Sequence, residues 1–206
     1  MHTDGLHRRS IVALCLNAAL LAGLAANVAD AQEYPVKPIR MIVPFAPGGP
    51  NDVLGRIVAQ KMSEQMGQQL IIDNRSGAGG GTGTVAVSVA PPDGYTLHAC
   101  TTGVFAIQPF LYSKLPYDPE KGIAPVTQTG SLPYIIVVHP SLPVKGTRDF
   151  INFVKARPNQ INYASSGVGT ASHLSAALFA SAAGLNMVHV PYKGTGNAMS
   201  DLLAGQ

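Results

Sequence analysis

The stretch Met41-Ile42-Val43-Pro44-Phe45-Ala46-Pro47-Gly48-Gly49-Pro50-Asn51-Asp52 decides the fold. Met41 to Val43 is a short apolar run without polar alternation, the pattern of a strand buried on both faces. It enters a Pro/Gly loop, and an amphipathic run from Val53 to Met66 follows directly. Pro50 suits the first helical position, where its missing N–H costs nothing. Asp52 then falls in the first turn, where a carboxylate complements the positive end of the helix dipole. Gly48 and Gly49 lack side chains, so a small molecule can approach the loop's backbone N–H groups closely. Strand, glycine loop and helix start together make an anion cradle.

Working outward, Leu54, Ile57, Val58 and Met62 share one predicted helix face, and Gly67 is placed to stop the helix. Gln69 to Ile72 is a second predicted strand. It leads through the glycine-rich loop Asp73 to Gly83 into a small-residue helix from Thr84 to Ala90. Pro91-Pro92-Asp93-Gly94 is a turn, Tyr95 to Cys100 a third strand, and Thr101-Thr102-Gly103 opens a short helix. Strand, polar or glycine loop and helix recur three times, which predicts a parallel α/β sheet. Ligands of such sheets bind beyond the carboxyl ends of the strands, where these loops gather.

Beyond the irregular Tyr112–Pro119, Ile123 to Thr129 is a predicted strand, and Gly130-Ser131-Leu132-Pro133 marks a hinge or domain crossing. The second half repeats the alternation. Ile135 to Val138 is a predicted buried strand, Thr147 to Arg157 an amphipathic helix carrying Phe150, Ile151 and Val154, and Ile161 to Ala164 a short strand. Ser165-Ser166-Gly167-Val168-Gly169-Thr170 opens a helix with Leu174, Ala177 and Leu178 on its apolar side. Met187 to Val190 is the next strand, followed by Pro191-Tyr192-Lys193-Gly194-Thr195-Gly196 and a last helix to Ala204. The chain stops at Gln206, where the alternation calls for a further strand.

The first residues read as an export leader rather than as part of the fold. His7, Arg8 and Arg9 form a basic start, Ile11 to Ala26 is apolar, and Ala29-Asp30-Ala31 supplies a small-x-small cleavage pattern. The apolar run is short for a membrane span of about 20 residues. The expectation is a signal peptide over residues 1–31, cleaved after Ala31, and a periplasmic mature chain of about 175 residues. That length suits one good core or two small domains. Cys100 alone remains in it, which leaves no intrachain disulfide. The net charge of +3 is mild and unclustered, compatible with anionic ligands and against nucleic acid.

The candidate chemistry is thin. The run from Gly77 begins Gly-x-Gly-x-x but continues with Thr82, and no acidic residue ends a strand about 20 residues later, so a dinucleotide site is weakly supported. No Gly-Lys-Ser/Thr occurs, which excludes a P-loop. Ser165 and Ser166 lack a Gly-x-Ser-x-Gly elbow, and His173 need not face either of them. Those serines suit a helix cap or a ligand hydrogen bond. The histidines His98, His139, His173 and His189 lack metal-ligand spacing, and His98 and His189 lie inside strands. Neither a metal nor a cofactor is expected. Binding without turnover fits best: glycine and serine loops at helix starts, in two halves, suit a carboxylate held by N–H groups and hydroxyls. The alternative is a secreted α/β hydrolase or transferase using Ser165 or Ser166.

Several stretches resemble the Bug-type extracytoplasmic solute receptors of tripartite tricarboxylate transporters. They are Val43-Pro44-Phe45-Ala46-Pro47-Gly48-Gly49 with Asp52, Asn74-Arg75-Ser76-Gly77-Ala78-Gly79-Gly80, Pro92-Asp93-Gly94-Tyr95-Thr96-Leu97 and Leu115-Pro116-Tyr117-Asp118-Pro119. Asn162-Tyr163-Ala164-Ser165-Ser166-Gly167 with His173-Leu174, and Val188-His189-Val190-Pro191-Tyr192-Lys193-Gly194, continue the series. They run in the family's order across the mature chain, and together they are specific. Lys121-Gly122-Ile123 departs from the Lys-Asp-Phe common in the family.

The resemblance implies a type II periplasmic binding protein-like α/β fold, with two α/β domains and a ligand cleft between them. Residues 32–132 would form the first domain and 133–206 an incomplete second one, since family members continue well past Gln206. On that analogy Phe45, Gly48, Gly49, Asp52, Gly79, Gly80, Thr101 and Thr102 line the first domain's side, and Ser165, Ser166, Thr170 and Lys193 the second's. The resemblance also implies a small organic acid or other carboxylate as ligand, permease subunits of the transporter as partners, and a monomer. Exposed sheet edges, lowered stability and weak ligand binding are expected of so short a chain.

Overall fold

Strand β1, Ile39–Val43, is the axis of the first half. Ile39, Ile42 and Val43 are wholly buried, as expected of a strand covered on both faces. β2 (Leu70–Asn74) and β3 (Thr96–His98) pair with it in parallel, in the order β2-β1-β3. Register runs from Ile39 opposite Leu70 to Val43 opposite Asn74, with Met41 opposite Leu97 on the other side. The structure, a computed structural model, describes residues 33–206. The expected leader and its cleavage after Ala31 lie outside the described residues.

Helix α1, Pro50–Met66, begins at Pro50 and ends where Gly67 turns left-handed and donates its N–H to the Ser63 carbonyl. Its inward face differs from the predicted one. Gly55 and Ala59 are buried, with Val58, Met62 and Met66 beside them, while Ile57 faces outward. The reason is the closeness of helix and strand. A methyl group added at Gly55 would lie 3.2 Å from Val43 Cγ2, so only small residues let α1 approach β1. Helix α2, Gly81–Ser88, follows the second glycine loop, and a π-helical turn over Gly103–Ile107 leads into the short α3, Gln108–Leu111.

The second half holds α4 (Thr147–Lys155), β4 (Asn162–Ser165), α5 (Ala171–Ala183), β5 (Val188–Pro191) and α6 (Thr195–Leu203). β4 and β5 pair in parallel, Asn162 opposite Val188 and Ser165 opposite Pro191. Val154, Ala180 and Leu185 form the core here, flanked by Phe150, Phe179 and Met187. The rings of Phe150 and Phe179 stack with centroids 6.2 Å apart. The predicted apolar side of α5 is again displaced: Leu178 is 71% exposed and Leu174 also faces out, whereas Phe179, Ala180 and Ala183 pack inward.

Strands are predicted over Ile123–Thr129 and Ile135–Val138, and neither forms. Ile135 is 79% exposed, and Ile136 to Val138 follow it into solvent. A strand exists only where a neighbour supplies carbonyls and N–H groups, and no described strand lies alongside these residues. β2 and β3 are also paired on one side only among the described residues, in line with the expected open edges. No described helix is long and apolar enough to cross a membrane.

Candidate functional site

The loops after the five strands converge. The first, Pro44 to Gly49, is held by Asp52, which is 4% exposed. Its Oδ2 accepts from the Gly48 amide at 3.0 Å and from Arg56 Nε at 3.0 Å, and its Oδ1 accepts from Asn74 Nδ2 at 2.9 Å. Asn74 also donates to the Phe45 carbonyl, so the end of β2 braces the end of β1. Burial alone would raise the Asp52 pKa. The hydrogen bonds from Arg56, Gly48 and Asn74, with the Arg56 charge, outweigh it and pull the value down to about 2. Asp52 is therefore ionised and fully engaged within the protein, and the Gly48 amide is already occupied. Phe45, read from the sequence as lining, is buried behind the loop.

The second loop has an unusual path. Gly77, Ala78, Gly79 and Gly80 all take positive φ, at 135°, 49°, 59° and 100°. Glycine tolerates this region and Ala78 does so at a cost of about 1 kcal/mol. A side chain at Gly80 would strike Val104 and Phe45, so this glycine lets the first and second loops touch. In the third loop Thr101 is half-buried and Thr102 exposed, and Gly103 lies against the Gly169 carbonyl.

The fourth loop follows β4. Ser165 is 3% exposed; its Oγ accepts from the Gly167 amide at 3.1 Å and lies 2.7 Å from His189 Nε2. Thr170 caps α5, accepting from the His173 amide, and donates to the Gly167 carbonyl at 2.7 Å. Ser166 is half-buried and pairs with Ser172, Oγ to Oγ at 2.9 Å. In the fifth loop the Lys193 side chain is exposed, and its carbonyl accepts from the Ala46 amide at 3.0 Å.

The two halves thus meet backbone to backbone. A methyl group at Gly79 would fall 2.2 Å from the Val168 carbonyl oxygen, and one at Gly196 would fall 2.7 Å from the Pro47 carbonyl oxygen. Gly49 faces Thr195 and Gly196 across the same seam. Every predicted site residue lies in or beside these five loops. Thr101, Thr102, Ser166 and Lys193 keep access to solvent, whereas Phe45, Gly49, Asp52, Gly79, Gly80, Ser165 and Thr170 are buried and shape the loops. An apolar groove lies outside the first loop, lined by Pro50, Val53, Ile57, Leu132 and Met199.

Three residues that sequence reasoning missed organise the site. Asn74 ends β2 and bridges two loops; in the sequence it opens one of the stretches that carry the family resemblance, but nothing there marks its bonding role. Gln108 carries no pattern at all. His189 is packed, as a histidine inside a strand suggests, but it also bonds Ser165 and stacks on Tyr163 and His173, with centroids 4.9 and 4.1 Å away. Burial, then the neighbouring His173, lowers its pKa. The hydrolase alternative finds no support: Ser165 is sealed off, and no carboxylate among the described residues orients His189. Among the described residues no group of three metal-ligating side chains gathers.

The chain is similar in sequence and fold to known proteins. The sequence model described as the tripartite tricarboxylate transporter family receptor matches residues 54–206. The protein BugT of Bordetella pertussis is 38% identical over 185 residues, which are 89% of this chain and 56% of BugT. Among solved structures, a periplasmic transporter is similar with a TM-score of 0.77 at 40% identity, covering 84% of this chain and 58% of that one. MatC of Rhodopseudomonas palustris with bound malate is similar with a TM-score of 0.79 at 33% identity, covering 84% of this chain and 59% of MatC. The α/β fold is that of periplasmic binding proteins, and the chain spans less than three fifths of the length of each of these relatives.

Proposed function

Because the chain belongs to the tripartite tricarboxylate transporter receptor family, we propose that it serves a periplasmic receptor that captures a small carboxylate-bearing organic acid and performs no covalent step. The captured acid is handed to the membrane permease of the transporter. The chain reaches the periplasm through cleavage after Ala31, works as a monomer, and divides near residue 132 into two α/β halves.

The observation that carries this reading is the convergence of all five strand-end loops on one seam between the two sheets. In parallel α/β proteins that is where ligands bind. The acid lies between the halves, met by the Thr101 and Thr102 hydroxyls from one side and by Ser166 and Lys193 from the other. Asp52, Ser165 and Thr170 keep the loops in shape, and Gly49, Gly79 and Gly80 let the backbones close. A ligand held from both sides stabilises the closed form by its differential affinity for it. Malate, which MatC binds, is the natural first compound.

The test is a thermal-shift screen and calorimetric titration of the exported chain with malate, citrate, adipate, aspartate and nicotinate. Saturable binding by at least one acid, unchanged acid recovered afterwards, and weakened binding in Ser166→Ala and Lys193→Ala support the reading. No saturable binding across the panel, or conversion of the acid, overturns it.

A further inference from the structure

Gln108 stands between the two glycine loops that meet at the seam. It is 1% exposed, and its carboxamide is fully used. Nε2 donates to the Ala78 carbonyl at 3.1 Å and to the Gly79 carbonyl at 3.0 Å, and Oε1 lies 2.9 Å from the Tyr117 hydroxyl, whose single proton it shares with the Val104 carbonyl at 2.8 Å. The amide has one possible orientation, because a flipped oxygen would face two carbonyl oxygens. These two bonds fall on residues whose backbone is left-handed. The aliphatic stem faces the other half: a methyl group at Gly169 would lie 3.1 Å from Gln108 Cγ. One side chain therefore holds the carbonyls of the second loop and seats the fourth loop on its stem.

We propose that Gln108, oriented by Tyr117, is a positioning residue that sets ligand affinity without touching the ligand. Its two N–H groups turn the Ala78 and Gly79 carbonyls inward, fixing a left-handed path that Ala78 disfavours and that the flanking glycines permit without selecting. That path brings Gly79 beneath the Val168 carbonyl and leaves the loop preorganised for the acid. Without the two bonds the loop samples other conformations, and affinity falls by the fraction of time it spends in them. The affinity arm of the inference rests on the receptor reading above; the loop arm does not.

The test uses Gln108→Met, which keeps the stem and loses the donors, and Tyr117→Phe, which keeps Gln108 and removes the hydroxyl shared by Gln108 and the Val104 carbonyl. Amide hydrogen exchange over residues 77–81 and the Kd for the best-binding acid among malate, citrate and adipate are read on the exported chain. Gln108→Met is expected to speed exchange in that segment and weaken binding about tenfold, with a smaller change of the same kind in Tyr117→Phe. A role confined to stability would instead lower Tm, spread faster exchange over β1 and β2, and leave the Kd of the folded protein unchanged. Exchange over residues 77–81 unaltered in the folded variants overturns the proposal, and so does an unaltered Kd. Should Gln108→Met fail to fold, Tyr117→Phe decides on both readouts. If the unmodified chain binds no acid, the receptor reading falls while the exchange measurement still judges the positioning of the loop.

Discussion

The Asp52 carboxylate accepts the Gly48 amide at 3.0 Å, so the first turn of α1 reaches back and fixes the loop that precedes it. Asp52→Asn places an N–H group where the carboxylate now accepts hydrogen bonds, and it unpairs Arg56. We expect a loss of about 2 kcal/mol, measured by urea unfolding, reduced from the cost of a fully buried pair because Arg56 is half-exposed. The sign of the pH effect follows from the lowered pKa. Stability from this group is complete above about pH 4 and is lost as pH falls toward about 2, and Asp52→Asn removes that limb of the acid profile.

His98 gives a separate acid window. Neither ring nitrogen has a hydrogen-bond partner among the described residues, and burial pushes its pKa down to about 4 from the ordinary 6.5. The unfolded chain therefore binds a proton first as pH falls. Stability is full above about pH 6.5 and declines down to about pH 4, by up to about 3 kcal/mol. His98→Leu is expected to flatten the profile there without loss at neutral pH. An unchanged slope between those values would show that the ring titrates normally in the fold.

Two glycine substitutions separate backbone strain from crowding. Gly48 has open space around it, and Gly48→Ala costs only its left-handed backbone, about 1 kcal/mol. Gly79→Ala adds a methyl group 2.2 Å from the Val168 carbonyl oxygen, which forces the two halves apart. We expect its fall in Tm to be at least about twice that of Gly48→Ala, with faster exchange on both sides of the seam. Equal shifts for the two variants would mean that the seam is loose.

In the second half, Val154→Ala empties a wholly buried site and should cost about 2 kcal/mol. Leu178→Ala removes a side chain that is 71% exposed and should fall within about 0.5 kcal/mol of the parent. The pair is read by denaturant midpoints, and a reversed ranking would restore the helix face that periodicity alone selects.

That pair also marks what the sequence reveals and what it conceals. Pro50 and Gly67 announce both ends of α1 because capping chemistry is local, whereas the cap of α5 is Thr170 rather than the expected Ser165 or Ser166. The gathering of the loops follows from the strand-loop-helix order, and the predicted site residues lie in or beside the loops that end the strands. Helix faces are less legible. Periodicity weighs Ile57 and Leu178 as core, whereas close packing on β1 selects Gly55 and Ala59 for being small. The stretch Ile135 to Val138 has a strand's composition, but pairing depends on a partner that composition does not contain. Gln108 and Asn74 are solitary amides, and their roles emerge only when distant loops are brought together.

The bond from the Ala46 amide to the Lys193 carbonyl joins residues near opposite ends of the described chain. Such a closure forms late, since contacts distant in sequence must first offset the entropy of the intervening loop. An opening loop that is translated among the first segments thus acquires its final shape among the last, after β5 has been made and docked. Until then the Ala46 backbone lacks the bond that ties it to the second half, and the loop keeps a freedom that the folded chain removes.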